Sequence, residues 1–102
     1  MREQRLRFEW DPVKAASNLA KHGVAFADAR EVFDEPLQRN YQDRHEGVEE
    51  RWQTLSLVRG VLLLLVAHTW TEQDGDEVIR IVSTRRASKQ ERRDYEHGSQ
   101  GR

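Results

Sequence analysis

The stretch Val61 to Trp70, VLLLLVAHTW, contains the longest apolar run in this chain of 102 residues. A continuous aliphatic run is typical of a strand buried on both faces, so we predict that it is the central strand of a sheet. Neighbouring strands are predicted from Trp52 to Val58 and from Glu77 to about Ser83. The turn signals Arg59-Gly60 and Asp74-Gly75 separate the three strands, which predicts an antiparallel meander.

The residues before this meander predict one strand and two helices. Leu6 to Trp10 alternates apolar and polar residues, as a short half-buried strand does. Asp11-Pro12 starts a helix that should run to about His22, and a second helix is predicted from about Ala25 to Phe33. The apolar face of the first helix should contain Val13, Ala16 and Ala20.

Two further segments complete the predicted fold. Leu37 to Arg51 is polar, and we interpret it as a short strand followed by an exposed acidic loop. Ser88-Lys89-Gln90-Glu91 is a capping box, which predicts a last helix to about His97 and a disordered tail over residues 98–102. The predicted fold class is therefore α+β: one domain over residues 1–97, with two N-terminal helices packed on an antiparallel β-sheet and a C-terminal helix.

Composition narrows the class of protein. Cysteine is absent, which favours a reducing, cytoplasmic setting. Apolar residues make up only 36% of the chain and charged residues 34%, so we expect a small core and a partner that covers part of the surface. A membrane span needs about twenty apolar residues, far more than the longest run provides, and neither a membrane anchor nor a signal peptide is expected.

Charge is unevenly distributed along the chain. The net charge of −1 argues against a general nucleic-acid binder. Between Asp28 and Glu50, however, eight acids accompany three arginines, which suits a basic partner, whereas between Arg80 and Arg93 six bases accompany one acid. The basic stretch suits a phosphate-bearing ligand, with RNA as the leading candidate, although a solvated charge-rich helix after an edge strand has the same composition.

Several short motifs, spread over nearly the whole chain, share their order and spacing with a known family. They are Phe8-Glu9-Trp10-Asp11-Pro12, Lys14, Asn18, Lys21-His22-Gly23-Val24, Val32-Phe33, Glu50-Arg51-Trp52, His68-Thr69, Ile79-Arg80-Ile81, Ser83, Arg85 and Tyr95-Glu96. Together they resemble the BrnT family of bacterial toxins. The resemblance implies a RelE-like fold and a ribonuclease of a type II toxin–antitoxin pair without a cofactor. It also implies a DNA-binding, BrnA-like antitoxin, whose dimer carries two toxins in a heterotetramer and alone contacts DNA.

The resemblance also directs attention to residues that would handle RNA. Metal-free cleavage needs a base for the 2′-hydroxyl, stabilisation of a pentavalent phosphorane and an acid for the leaving oxygen. Arg80 and Arg85 are expected to stabilise the phosphorane, but five residues separate them, so both can serve one site only if the strand ends or bulges near Ser83. The predicted catalytic residues are Arg80, Arg85, His68, Ser83 and Thr71, and the predicted RNA-binding residues are Arg86, Lys14, Lys21 and Trp70.

The sequence leaves three questions open: the proton-transfer residue, the presence of a metal and the effect of Thr71. Proton transfer is assigned to His68, at the end of the central strand, in preference to His22, which is equally suited to capping a helix. Metal ligands are available in the acidic segment, but their spacing matches no compact zinc or magnesium motif, and no metal is expected; the residues are Asp43, His45, Glu46, Glu49 and Glu50. Thr71 stands where family members commonly have an arginine, and it lacks a fixed charge. A second hypothesis is therefore a catalytically weak or inactive antitoxin-binding module that acts as a co-repressor.

Overall fold

A five-stranded sheet is the framework of the computed structural model, which describes residues 5–46 and 49–97, with the side chains of all but 43–46 and 49. The elements are β1 (Leu6–Glu9), α1 (Pro12–His22), α2 (Phe26–Ala29), a 3₁₀ helix (Arg30–Asp34), β2 (Arg39–Glu46), β3 (Glu49–Val58), β4 (Leu62–Gln73), β5 (Asp76–Arg86) and α3 (Lys89–Glu96). The strand order is β1-β5-β4-β3-β2. This confirms the predicted α+β class and the meander. The sheet is mixed, however, because β1 runs parallel to β5.

Both predicted hairpin turns are present. Arg59 and Gly60 have φ angles of 55° and 71°, and Asp74 and Gly75 have φ angles of 53° and 84°. Two consecutive left-handed residues form the turn whose twist matches that of the flanking strands. These turns set the register of β3, β4 and β5 and thereby decide which side chains share a face.

The sheet has a core on each face. On one side, here called the α2 face, α2 and the 3₁₀ helix pack Phe26, Ala29, Val32 and Phe33 against Leu64, Val66, Ile79 and Ile81. On the opposite side, the α3 face, Leu55, Leu63 and Leu65 pack against Ala87 and Tyr95. The central strand β4 is therefore buried on both faces, as its apolar run predicts.

Three predictions about local structure are wrong. The described part of the segment assigned to an acidic loop lies in β2 and β3, whose ladder pairs Gln42 with Trp52 and His45 with Glu50. The second helix is α-helical only to Ala29 and then continues as a 3₁₀ helix. The expected apolar face of α1 is exposed: Val13 has 76% of its surface in solvent, and Ala16 and Ala20 are exposed as well. The predicted tail, 98–102, lies outside the described residues.

Candidate nucleic-acid interface

A bulge in β5 brings the predicted phosphate-handling residues onto one face. Ala67 pairs with Ser83 and His68 pairs with Ile81, so Val82 is an extra residue in β5. Arg80 and Arg85 are consequently opposite Thr69 and Leu65, which are four residues apart on β4 and point to the same side. The bulge near Ser83 that a shared site requires is confirmed, and Arg80, Ser83 and Arg85 all lie on the α3 face.

On the α3 face, two rows of positions that carry arginines flank a middle row, and we call this arrangement the trough. Its floor is the cross-strand row Tyr41, Gln53, Ala67 and Ser83, one residue from each of β2, β3, β4 and β5. The row on one side contains Arg39, Leu55, Leu65 and Arg85, and the row on the other contains Arg51, Thr69 and Arg80. Tyr95 of α3 packs on the leucines of the first row. The trough therefore combines a floor without large aliphatic side chains with arginines on both sides, as a polyanion requires.

Arg80 and Arg85 differ in how firmly carboxylates hold them. Arg85 donates two hydrogen bonds of 2.9 Å to the two carboxylate oxygens of Glu91. These bonds raise the pKa of the Arg85 guanidinium and lower the pKa of the Glu91 carboxyl to about 2. Arg80 is only 3.6 Å from one oxygen of Glu9, and both side chains are about half exposed. Arg80 is thus the more available of the two for a phosphate.

A basic cleft adjoins the Ser83 end of the trough. It has a volume of about 210 Å³ and lies between α1 and the part of β5 that extends beyond β1; its lining includes Lys14, Ser17, Lys21, His22, Val82 and Ser83. In the part of the chain that the structure describes, neither Lys14 nor Lys21 forms an ion pair. The cleft thus brings together three predicted site residues, Lys14, Lys21 and Ser83, and adds His22.

Asn18 holds α1 against the edge of β5. Its side-chain amide donates to the carbonyls of Thr84 (2.9 Å) and Val24 (3.1 Å), and its oxygen accepts from the Thr84 amide (3.1 Å). Asn18 is the buried residue of α1, with 7% exposure. Because β1 pairs with β5 only as far as Arg80, Asn18 satisfies backbone groups that would otherwise lack a neighbouring strand. The motif asparagine therefore builds the cleft.

His68 is not available for proton transfer, so the prediction for it is wrong. Its side chain is fully buried on the α2 face, where the Thr54 hydroxyl is 2.8 Å from one ring nitrogen and the Thr69 carbonyl oxygen 3.1 Å from the other. Its ring contacts Phe33 edge-on at 4.9 Å between centroids. Desolvation lowers the pKa of His68 to about 4, against the opposing effect of the Thr69 carbonyl. Neutral His68 is part of the core.

Of three other predicted residues, two lie on the opposite face of the sheet from the trough and one lies next to Arg80. Trp70 is half-buried on the α2 face, packs near Phe33 and donates to Glu77 at 3.0 Å, so it does not join the trough. Arg86 is exposed but pairs with Leu64 and therefore points away from Arg85. Thr71 is exposed on the α3 face, two residues beyond Thr69, and so lies diagonally next to Arg80.

Sequence reasoning missed the members of the trough that lie on β2 and β3. Arg39 and Tyr41 belong to a segment that the sequence predicts as a short strand followed by an exposed acidic loop, and Arg51 ends that segment. Their proximity to β5 depends on the register of four strands, which no local pattern contains. From Arg39 to Gln42, the long side chains of Arg39 and Tyr41 alternate with two amide side chains. This alternation is the one sequence signal for β2 in this segment.

Two searches of the described residues concern other classes of site. No group of three His, Asp or Glu residues in that part of the chain is arranged to hold a metal ion. The side chains of 43–49, which supplied most of the hypothetical metal ligands, lie outside the description. No helix in the same part is long and apolar enough to span a membrane.

Comparisons with known proteins agree with the motifs. A family model described as "Ribonuclease toxin, BrnT, of type II toxin-antitoxin system" matches residues 10–91. Among solved structures, the chain is similar to the ribonuclease toxin BrnT of Brucella abortus, with 21% sequence identity and a TM-score of 0.63 over 82% of this chain and 99% of that chain. At that identity the likeness shows the fold alone. No curated protein matches the sequence.

Proposed function

This chain belongs to the BrnT family of ribonuclease toxins of type II toxin–antitoxin systems, and we propose that it cleaves RNA without a metal ion where the trough meets the basic cleft. The observation that carries this proposal is the position of Ser83. This residue ends the floor of the trough, lies one row from Arg80 and lines the cleft with Lys14, Lys21 and His22. A phosphodiester at Ser83 would therefore be surrounded by cations from both the sheet and α1.

The chemistry requires a charge to be stabilised and two protons to be moved. The 2′-oxygen attacks the neighbouring phosphorus after losing its proton, the phosphorane gains negative charge, and the 5′-oxygen leaves with a proton. We assign charge stabilisation to Arg80, with Ser83 donating a hydrogen bond to a phosphate oxygen. Lys14 and Lys21 are assigned to the flanking phosphates. His22 is the imidazole in the cleft, and we assign proton exchange to it in place of His68.

The kind of charge at the junction supports the metal-free form of this proposal. A metal-dependent nuclease positions carboxylates that hold a cation, and the cation neutralises the phosphorane. At the junction the protein itself supplies the positive charge through guanidinium and ammonium groups, while Glu9 lies beside Arg80. Fixed cations perform the neutralising step without an added ion.

Thr71 favours a second candidate function, a catalytically weak antitoxin-binding module that acts as a co-repressor. The position lies diagonally next to Arg80 on the α3 face, so an arginine there would add a second cation to the same phosphate site. A threonine hydroxyl donates one hydrogen bond but carries no charge. The effect of this residue on turnover decides between an enzyme and a module.

The test is cleavage of total RNA by the purified, partner-free protein in EDTA. Variants Arg80→Ala and Thr71→Arg are compared with Arg59→Ala, an exposed arginine that pairs with Glu31 and lies at the opposite end of β4. The enzyme proposal expects cleavage by the native chain and by Arg59→Ala, and at least a hundredfold loss in Arg80→Ala, a range typical of lost transition-state contacts. Cleavage only in Thr71→Arg supports the module, and cleavage that EDTA abolishes refutes the metal-free mechanism.

The family implies an antitoxin partner. We propose that this antitoxin binds DNA, that its dimer carries two copies of this chain, and that the toxin contacts DNA only through it. Light scattering of the co-purified complex tests the stoichiometry, since a mass for any ratio other than two to two contradicts it. The RelE-like label and the cytoplasmic location stay predictions.

A further inference from the structure

Tyr41 is the exposed aromatic residue of the trough, and we propose that it stacks on an unpaired base of the RNA substrate. This inference rests on the proposed function, because it names the feature of the substrate that the trough recognises. Tyr41 is 46% exposed and belongs to the same cross-strand row as Ser83. A base on Tyr41 and a phosphate at Ser83 would thus lie along one line across the sheet.

The size of the trough suits a short single-stranded segment. Three interstrand spacings separate Tyr41 from Ser83, or roughly 14 Å at about 4.8 Å per spacing. Stacked nucleotides rise about 3.4 Å each along one strand, so at most about four nucleotides fill this distance. Gln53 and Ala67 lie between the two ends of the row. Neither is a large aliphatic residue, and Ala67 has only a methyl side chain.

Tyr41 also differs from the other aromatic residues in what it contacts. Phe8, Trp10, Phe26, Phe33, Trp52 and Trp70 pack with one another in ring pairs, and Tyr95 packs on the leucines of the α3 face beneath Arg39. Within the described residues, Tyr41 has neither a ring partner nor a hydrogen bond to its hydroxyl. It is the large exposed ring on a surface flanked by arginines, the combination that single-strand binders use.

The chemistry of stacking defines the substrate class. Every base has a π-face, so a tyrosine platform accepts any base but requires that it be unstacked and unpaired. Arg80, which flanks the floor in a half-exposed pair with Glu9, suits a phosphate next to such a base. We therefore infer that the toxin selects single-stranded RNA through Tyr41, with little preference for the identity of that base.

Binding and cleavage of a fluorescein-labelled single-stranded RNA oligonucleotide in EDTA test this inference. The variants are Tyr41→Phe, Tyr41→Ala and a control, Leu37→Ala, an apolar side chain that is even more exposed and lies four residues earlier, outside the trough. We expect native affinity for Tyr41→Phe and Leu37→Ala. Tyr41→Ala should raise both the Kd and the KM about tenfold with little change in kcat, since base stacking lies in that range.

An abasic oligonucleotide separates stacking from a general effect on folding. With the base removed at the position that stacks, the native protein should lose the same factor of about ten, while Tyr41→Ala should bind both oligonucleotides equally. Equal loss in Tyr41→Phe, or no dependence on any abasic position, overturns the inference.

The outcome for Arg80→Ala in the same assay keeps the two proposals distinct. If Arg80→Ala weakens RNA binding but Tyr41→Ala does not, the stacking inference is wrong and the ribonuclease site stands. If Tyr41→Ala leaves RNA binding unchanged and Arg80→Ala leaves cleavage unchanged, both are wrong. If Tyr41→Ala weakens only the complex with the antitoxin, the ring is a protein contact and the inference is overturned.

Discussion

His68 offers the sharpest test of how this site is organised, because burial gives it a stability effect that a catalytic histidine would lack. The pKa of His68 falls from 6.5 to about 4 on folding. The unfolded chain therefore binds the proton more tightly than the folded one, and folding stability must decrease as the pH falls below about 6.5.

The expected magnitude follows from these two pKa values. At pH 7.5 both states are neutral at this residue and the contribution is close to zero. At pH 5 the unfolded state is largely protonated and the folded state is not, which lowers the free energy of unfolding by about 2 kcal/mol; the loss reaches about 3 kcal/mol below pH 4. The contribution of Glu91, whose pKa is about 2, is lost only below about pH 4.5 and does not overlap with a comparison of pH 7.5 and pH 5.

Urea unfolding of the native chain and of His68→Gln at the two pH values measures this difference. The variant should be less stable at pH 7.5, by about 1–3 kcal/mol for the lost buried hydrogen bonds, but the drop between pH 7.5 and pH 5 should be about 2 kcal/mol smaller than in the native chain. Its folded fraction should still cleave RNA. A folded His68→Gln protein that retains the native pH dependence, or that has lost cleavage at native stability, would falsify this reasoning.

The contacts around the trough lead to three more expectations. Asn18→Ala removes three hydrogen bonds between α1 and its neighbours and should lower the free energy of unfolding by about 2–4 kcal/mol in urea, whereas exposed Ser17→Ala should change it little. Glu91→Gln should release Arg85 and increase RNA affinity in an anisotropy titration at a stability cost below about 1 kcal/mol, because the Arg85 side chain is 41% exposed; unchanged affinity would mean that Arg85 does not reach RNA. Lys14→Ala should reduce the slope of log affinity against log salt by about 1, with Arg59→Ala unchanged, and equal slopes would place the RNA elsewhere.

The predictable part of the fold is the part that hydrophobic burial decides. The apolar run in β4 predicts a strand covered on both faces, and the turn signals Arg59-Gly60 and Asp74-Gly75 predict that strands precede and follow it. Both kinds of signal are local in the sequence. The length of β2 was not predictable in the same way. Its residues are mostly polar, and its pairing with β3 depends on backbone hydrogen bonds rather than on side-chain hydrophobicity.

The errors at α1 and His68 have specific physical causes. Hydrophobicity selected Val13, Ala16 and Ala20 as the packed face of α1, but the helix lies against a strand edge, where unpaired backbone groups favour the amide of Asn18. His68 was expected to end the central strand at an open site. β4 instead continues to Gln73, so His68 lies in mid-strand on the α2 face. A single sequence shows neither that the edge of β5 next to α1 is unpaired nor that β4 extends to Gln73.

The trough shows why net charge is a poor guide to the ligand of this chain. Individual glutamates pair with the arginines of the trough. The geometry of each pair decides how easily a phosphate can replace the carboxylate. Glu91 holds Arg85 with two bonds of 2.9 Å and also caps α3 through the Ser88 amide, so Arg85 is released only if that helix end rearranges. Glu9 approaches Arg80 at 3.6 Å in a half-exposed pair, which water screens and a phosphate replaces at little cost. A chain with a net charge of −1 therefore presents one readily available arginine near Ser83, while Glu91 holds the second, Arg85. We expect this local arrangement, rather than the total charge, to govern recognition of a polyanion.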